Sequence, residues 1–217
     1  MIYLISDTHF GLGDYFWRFQ EKMHRWNPET NREFYDANEM EALIIRRWNS
    51  VVKKEDTVIS LGDFAWAGSW GDTDAETTAC WMGACEVYKE YLDKLHGYKF
   101  LVHGNHDPFD MGDNVLYYGG HMFYLMHDPG KRYELIPKNW RKTEWVIHGH
   151  HHWVTDNDDS EKTFYPFING EKKAINVACD VIDYTPVSLP SILALDIDTI
   201  WKMETKIGPI IRKRNVK

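Results

Sequence analysis

Cysteine, long apolar runs and excess positive charge are all scarce in this chain of 217 residues. Its three cysteines, Cys80, Cys85 and Cys179, are odd in number and have no paired spacing, which argues against a disulfide framework and favours a reducing compartment. No run of about 18 apolar residues occurs, and the segment after Met1 has no basic leader, so we expect neither a membrane span nor secretion. These absences together predict a cytoplasmic protein.

The charge balance limits the expected partners. A formal net charge of -8 argues against a general electrostatic grip on DNA or RNA, because that binding needs lysine and arginine to neutralise phosphates. It does not exclude a small anionic substrate, since divalent cations held by carboxylates and histidines present local positive charge. We therefore expect a small-molecule ligand ahead of nucleic acid, while the oligomeric state stays open. The hydrophobic fraction of 43% excludes a disordered chain.

Short apolar runs alternate with amphipathic stretches along the first half, which is typical of an α/β protein. The second half is rich in hairpin signals, which favours two packed sheets over one parallel sheet. We predict one domain over residues 1–217, with an aromatic-rich insertion at 14–35 that forms a loop with a short helix, and a solvated basic tail at 202–217. The predicted elements are strands at 2–5, 57–61, 98–102, 144–147, 174–178 and 191–196, helices at 39–52 and 75–95, a hairpin at 115–126 and an acidic loop at 154–163.

Polar side chains of the types that bind metals follow the ends of the predicted strands. Because side chains two apart along a strand point the same way, Asp7 and His9 are expected to share a face. Any one of these motifs has an ordinary explanation, since an Asp-x-His pair arises by chance and Gly-Asn is a common turn. Their recurrence predicts one site where the strands end. The residues concerned are Asp7, His9, Asp63, Asn105, His106, His127, His150 and His152.

The order of these motifs resembles that of the calcineurin-like metallophosphoesterases: Asp-x-His, Gly-Asp, Gly-Asn-His-Asp, a lone His, then Gly-His-x-His. The resemblance covers residues 2–152, and residues 176–189 resemble the closing strand and loop of small bacterial and phage members. It implies a four-layer α/β/β/α sandwich, in which two mixed β-sheets are flanked by helices. It also implies a centre with two divalent metals.

The resemblance assigns a ligand to each strand end. A carboxylate can bridge two cations, so Asp63 is the expected bridging ligand. The mixture of imidazole, carboxylate and amide groups suits manganese, iron or zinc, and manganese is our first expectation. Asp7, His9 and His152 would complete one metal site, and Asn105, His127 and His150 the other.

The implied reaction is hydrolysis of a phosphate ester, in which a hydroxide bridging the metals attacks phosphorus in line with the leaving group. The resemblance further implies that His106 is not a ligand, because its counterpart in the family faces the leaving group, where an imidazole can donate a proton to the departing oxygen. Asp107 either orients His106 or caps the turn structurally. His148 either supports the ligands or is an ordinary rim histidine, and His151 is predicted to be exposed.

The chain departs from the Ser/Thr protein phosphatases after Asp63. The run at 62–68, Gly-Asp-Phe-Ala-Trp-Ala-Gly, lacks both the arginine that would grip phosphate and the second aspartate. We therefore expect a phosphodiester or small nucleotide-like substrate, with Trp17, Trp66 or Trp70 either stacking on a base or packing in the core. A nuclease and a non-catalytic scaffold that retains the fold are the alternatives. The His-x-His-x-Asp-His motif of metallo-β-lactamases is absent.

Overall fold

The computed structural model describes residues 1–66, 74–107, 114–131, 136, 144–156 and 162–203. Four α-helices lie in these ranges: α1 (Phe16–Met23), α2 (Ala37–Val51), α3 (Asp74–Lys94) and α4 (Leu189–Leu193). The strands there are β1 (Ile2–Ile5), β2 (Trp26–Asn27), β3 (Arg32–Glu33), β4 (Thr57–Leu61), β5 (Tyr98–Val102), β6 (Asn114–Tyr118), β7 (His121–Leu125), β8 (Trp145–His148), β9 (Val154–Asp156), β10 (Lys162–Phe164), β11 (Ile168–Asn169), β12 (Ala174–Asn176), β13 (Val187–Ser188) and β14 (Lys202–Met203).

The first sheet has the strand order β13, β1, β4, β5. Strands β1, β4 and β5 run parallel to one another, and β13 runs antiparallel to β1. Leu4 pairs with Ile59, which pairs in turn with Phe100, so the strands end almost level. Parallel strands that end level bring the residues after them to a single edge of the sheet, where a ligand can bind.

The second sheet has the strand order β14, β11, β12, β8, β7, β6. Its strands β12, β8 and β7 are parallel, whereas β6, β11 and β14 are added antiparallel, so both sheets are mixed. The sheets meet where β1 and β12 end: the Ser6 amide donates to the Val177 carbonyl at 2.8 Å, and the Cys179 amide donates to the Ser6 carbonyl at 2.9 Å. The prediction of two mixed sheets flanked by helices is confirmed.

Helix α2 follows directly from its sequence. The Asp36 side chain accepts a hydrogen bond from the Glu39 amide at 2.8 Å, an N-cap worth about 1 kcal/mol. Met40, Ile44 and Trp48 recur every four residues and are fully buried, which fixes the face that packs against the core. The predicted helix at 39–52 is thus confirmed, with its start two residues earlier.

Some element predictions for the second half were wrong. Residues 191–196 were predicted as a strand, but α4 forms instead because Ser188 caps it by accepting from the Ser191 amide at 3.3 Å and Pro190 suits a first helical turn. The acidic stretch predicted as a loop forms the antiparallel pair β9 and β10 at its two ends. Lys202 and Met203, the start of the predicted tail, pair with β11, and the rest of that tail lies outside the described residues.

The aromatic-rich insertion contains more structure than a loop with a short helix. It holds α1 and the two-stranded pair of β2 with β3. His24 ends α1 in the left-handed conformation, with φ of 45°, and the next residue, Arg25, is fully buried. Among the described helices, none combines the length and the apolar character needed to cross a membrane.

Candidate metal centre

Four of the predicted ligands have left-handed backbone conformations: φ is 57° at Asp7, 47° at His9, 50° at Asp63 and 65° at His150. Aspartate and histidine tolerate this region better than β-branched residues, but each instance still costs about 1–3 kcal/mol. Since β1 ends at Ile5, the Asp7 and His9 side chains converge through tight turns and not through strand alternation. Such strain clusters at functional sites, where the surrounding fold holds it in place.

One cluster of ligand atoms consists of Asp7, His9 and His152, all buried. Asp7 Oδ1 lies 3.6 Å from His152 Nε2 and 3.9 Å from His9 Nε2. Both ring nitrogens of His9 are buried and have no hydrogen-bond partner among the described residues, although buried polar atoms are normally paired. Burial also lowers the pKa of His9 well below its usual value, which favours the neutral imidazole that metals bind. This donor set fits a divalent cation, which would satisfy the orphaned nitrogen.

A second cluster contains Asp63, Asn105, His127 and His150. His127 Nε2 lies 3.3 Å from Asp63 Oδ2 and 3.0 Å from Asn105 Oδ1, and His150 Nδ1 lies 3.0 Å from the same Asn105 oxygen. His127 Nδ1 is 2.8 Å from the Leu61 carbonyl, which fixes Nδ1 as the donor and leaves Nε2 for a metal. Although burial opposes it, the carboxylates of Asp7 and Asp63 raise the pKa of His127 to about 9.

Asp63 lies between the two clusters. Its Oδ1 accepts a hydrogen bond from the His106 amide at 2.8 Å. Its Oδ2 lies 3.7 Å from His9 Nε2 and 3.3 Å from His127 Nε2, so one oxygen faces ligands of both clusters. Although burial raises it, the hydrogen bond and charge of His127 hold the pKa of Asp63 well below its usual range. The carboxylate is therefore ionised and ready to bind cations.

The glycines of the motifs are required by close backbone approach. A Cβ added to Gly104 would lie 2.1 Å from the Asp63 amide nitrogen and 2.2 Å from Asp63 Oδ1. A Cβ added to Gly149 would lie 2.0 Å from Ser6 Oγ and 2.3 Å from Asp7 Oδ2. Any side chain at either position would displace Asp63 or Asp7, which explains why a glycine precedes the predicted ligand in these motifs.

Asp107 is placed as a structural carboxylate. It accepts hydrogen bonds from the amides of Asp63 at 2.7 Å, Phe64 at 2.9 Å and Gly104 at 2.9 Å, and from the Tyr88 hydroxyl. These bonds join the Gly-Asp turn to the Gly-Asn-His turn. The geometry therefore favours the structural alternative for Asp107 over the role of orienting His106.

The neighbouring histidines of the last motif differ in their surroundings. His148 is buried, its Nδ1 lies 2.7 Å from the Gly149 carbonyl, and burial lowers its pKa to about 3. His151, predicted to be exposed, is half-buried and stacks on Tyr165 with ring centroids 4.2 Å apart. Both rings therefore support the loop that carries His150 and His152.

Two residues of the centre escaped the sequence interpretation. Asp180 Oδ1 lies 3.4 Å from His152 Nδ1, and its Oδ2 accepts from the Trp153 amide at 2.9 Å. Arg25 donates from Nη2 to the Asp7 carbonyl, and the same nitrogen lies 3.3 Å from His152 Nδ1. Asp180 follows a predicted strand. The pattern that identified the predicted ligands, polar side chains directly after strands, could therefore have identified it too. Arg25 carries no such signal, because tertiary packing alone brings it to the site.

The centre forms the floor of a cleft of about 610 Å³, to which the His106 side chain is 40% exposed. Trp66 lines the cleft and packs against His106 with ring centroids 4.6 Å apart. Trp17 packs edge-on against Tyr35, whereas Trp70 lies outside the described residues. Of the predicted site residues, the cleft is lined by His9, Asp63, Asn105, His106, His150 and His152.

Comparison with known proteins agrees with this geometry. The chain is 36% identical over 194 residues to the uncharacterized protein MJ1445 of Methanocaldococcus jannaschii, covering 89% of this chain and 90% of that one. Its fold is similar to that of the protein of unknown function AQ665 from Aquifex aeolicus, with a TM-score of 0.57 and 26% identity, over 90% of this chain and 98% of that one. A family model described as calcineurin-like phosphoesterase matches residues 1–164. The chain therefore belongs to the calcineurin-like phosphoesterase family, which implies metal-dependent hydrolysis of phosphate esters.

Proposed function

We propose that this protein hydrolyses small phosphate esters, phosphodiesters or nucleotide-like compounds in particular, at a centre for two divalent metals. The observation that supports this most directly is the position of Asp63 Oδ2. It lies 3.7 Å from His9 Nε2, 3.3 Å from His127 Nε2 and 4.0 Å from His106 Nε2. One carboxylate oxygen thus adjoins a ligand of each cluster and the imidazole proposed to assist the reaction.

Each cluster would hold one cation, and Asp63 would contribute to both. When bound, two divalent cations would activate a water molecule and neutralise the negative charge of the phosphoryl oxygens. Imidazole, carboxylate and amide ligands suit manganese, iron or zinc, and we propose manganese first. The ligands would be Asp7, His9 and His152 for one metal, and Asn105, His127 and His150 for the other, with Asp63 shared.

We propose His106 as the residue that donates a proton to the leaving oxygen. Its backbone amide is tied to Asp63 Oδ1 at 2.8 Å, and its ring packs on Trp66, so the imidazole is held at the centre while still facing the cleft. An imidazole so placed can protonate a departing alkoxide or aryloxide. Asp107 then acts by holding the two turns that carry Asp63 and His106.

The size and charge of the cleft support a small substrate. A volume of about 610 Å³ lies in the range typical of small-ligand sites, roughly 300–1,000 Å³. The net charge of -8 disfavours long nucleic acids as substrates. We therefore favour a small-molecule phosphodiesterase over a nuclease. We also propose that the chain forms one domain and that the protein is cytoplasmic.

The test combines metal analysis with two chromogenic substrates. The purified protein is loaded with manganese, its metal content is measured by mass spectrometry, and hydrolysis of bis(p-nitrophenyl) phosphate is compared with that of p-nitrophenyl phosphate. We expect two metals per chain and faster hydrolysis of the diester. Asp63→Asn should lose both metal and activity. His106→Ala should keep the metal and lose about 100-fold or more in kcat toward a diester with an alkoxide leaving group, the usual contribution of general acid catalysis, because an alkoxide needs the proton that p-nitrophenolate does not.

The matched control is His121→Ala, which removes an imidazole that lies 3.8 Å from Asp198. It should leave both metal content and turnover unchanged. A metal-loaded protein that hydrolyses neither ester would favour the non-catalytic scaffold, and faster cleavage of a single-stranded oligonucleotide would favour the nuclease. Loss of metal in His106→Ala would contradict the role given to His106.

A further inference from the structure

One side of the cleft is formed by α1 and by Tyr15 directly before it, and we call this side the α1 wall. It has charged and aromatic side chains that the metal centre does not explain. Resting on the proposed hydrolysis of phosphate esters, we infer that this wall recognises the non-reacting part of the substrate: a second phosphate through Arg18 and Lys22, and an aromatic ring through Tyr15. The substrate class is therefore a nucleotide ester that carries another phosphate besides the one being hydrolysed.

Arg18 and Lys22 supply the positive charge. They are four residues apart in α1, which places them one turn apart on the same side of the helix, and both line the cleft. Both side chains are exposed, and neither has an ion-pair partner in the part of the chain that the structure describes. Like charges at this spacing repel each other, so the helix gains stability from the pair only when an anion lies between them.

Several other cations on the described surface are neutralised by a nearby carboxylate, as expected for a chain with a net charge of -8. Glu21 also lines the cleft, so this wall keeps an excess of one positive charge. A cationic wall over a metal centre favours an anionic ligand that reaches both. The neutralised pairs are Arg32 with Glu39, Arg46 with Glu29, Lys94 with Glu90, and Lys173 with Asp198.

Tyr15 and Trp66 supply the aromatic surface. Tyr15 is 43% exposed at the start of α1, and its ring centroid lies 5.9 Å from that of Trp66. Both rings line the cleft, and Trp66 packs in turn on His106. A planar group that lies on Tyr15 would thus be held near the imidazole that faces the reacting phosphate. Stacking of this kind accepts any nucleobase, because every base has a π-face.

The test compares two esters that differ by one phosphate: thymidine 5′-(p-nitrophenyl phosphate) and the same compound phosphorylated on its 3′ oxygen. Hydrolysis breaks the same P–O bond to p-nitrophenolate in both. We expect the wild-type protein to favour the 3′-phosphorylated ester by about tenfold in kcat/KM, the effect of one charge-assisted contact. Arg18→Ala/Lys22→Ala should reduce that preference to about twofold or less. Lys54→Ala/Lys89→Ala, which removes the same charge from exposed positions outside the cleft, should retain it.

A binding measurement separates failure of this inference from failure of the proposed function. Thymidine 3′,5′-bisphosphate is titrated calorimetrically into the manganese-loaded protein, alongside propane-1,3-diol bisphosphate, which has no ring. Tyr15→Leu should weaken the thymidine compound about fivefold or more, and should spare the ringless one. Equal rates for the two esters, or equal affinities in wild type and the Arg18/Lys22 variant, would overturn the inference. Binding that depends on these residues without any turnover would support it and count against hydrolysis.

Discussion

The carboxylate of Asp180 approaches the side of the His152 ring opposite the nitrogen that faces Asp7: Oδ1 lies 3.4 Å from Nδ1, while Nε2 lies 3.6 Å from Asp7 Oδ1. A carboxylate at this position fixes the tautomer and orientation of a metal-binding imidazole. Although burial opposes it, the charge of His152 holds the pKa of Asp180 well below its usual range, so the carboxylate is ionised.

We therefore expect Asp180→Asn to weaken metal affinity by about 10–100-fold, the usual effect of removing such a partner. The measurement is competition for manganese against a chelator of known affinity. Asp93→Asn, an exposed position on α3, is the matched control and should bind as wild type does. Equal affinities for the Asp180 and Asp93 variants would show that His152 needs no carboxylate behind it.

Arg25 should matter more for folding than its place in a surface insertion suggests. It is fully buried, contacts the Asp7 carbonyl and His152, and lies over the Phe19 ring at 4.7 Å. Arg25→Met would remove the donor to the Asp7 carbonyl and the positive charge that, together with His152, holds the buried Asp180 ionised, at a cost of about 3–5 kcal/mol in the free energy of unfolding. Arg25→Lys should recover part of this loss, because it keeps the positive charge. The recovery should be incomplete, because lysine lacks the planar guanidinium with its several N–H donors.

Urea unfolding of the metal-free protein measures this cost. The control is Arg46→Met, which breaks an exposed pair with Glu29 and should cost about 1 kcal/mol or less. If the Arg25 and Arg46 variants lost equal stability, the buried guanidinium would have no special part in holding the centre together.

Gly149 offers a steric test of the same centre. An alanine Cβ there would lie 2.3 Å from Asp7 Oδ2, so Gly149→Ala should displace that ligand, lower stability by about 1–3 kcal/mol and weaken metal binding. Gly83 in α3 is the matched control, since nothing lies within 4 Å of an added Cβ. Gly83→Ala should instead stabilise the helix by about 0.5–1 kcal/mol and leave metal affinity unchanged. Thermal unfolding measures the stability of both variants, and manganese titration measures their metal affinity. A Gly149→Ala protein that binds manganese as tightly as wild type would refute the predicted clash.

Acid should destabilise the metal-free protein through its buried histidines. Burial lowers the pKa of His148 to about 3 from an ordinary value of 6.5, so below pH 6.5 the unfolded chain binds a proton that the folded chain does not. His148 therefore leaves the free energy of unfolding unchanged above pH 6.5. As the pH falls from 6.5 toward 3, it lowers that free energy by about 1.4 kcal/mol per pH unit.

The measurement is urea unfolding in the presence of a chelator between pH 7.5 and 5. His148→Asn keeps an amide that can donate to the Gly149 carbonyl but has no proton to gain, so its pH dependence should be shallower by about 1 kcal/mol per pH unit. Parallel curves for wild type and variant would mean that His148 does not cause the acid sensitivity.

The sequence allowed the two mixed sheets and the convergence of the ligands to be predicted, because apolar strands and polar strand ends both leave a local pattern. The reason given for the convergence of Asp7 and His9 was wrong: both residues have positive φ values, and strand alternation does not apply to them. Helix α4 was not predicted, because a short apolar run is equally typical of a strand and the capping by Ser188 that favours the helix is a weak signal. Arg25 could not be predicted, since no local pattern reports which surface insertion folds back onto the site.

The floor and one wall of the cleft belong to different parts of the chain. The predicted metal ligands lie at the ends of strands in the two sheets, whereas α1 belongs to the connection between β1 and α2. A connection of this kind can change in length and sequence without altering how the strands pair. Choice of substrate can therefore evolve separately from the hydrolytic chemistry, and relatives with the same ligands but another segment at this point should act on different esters.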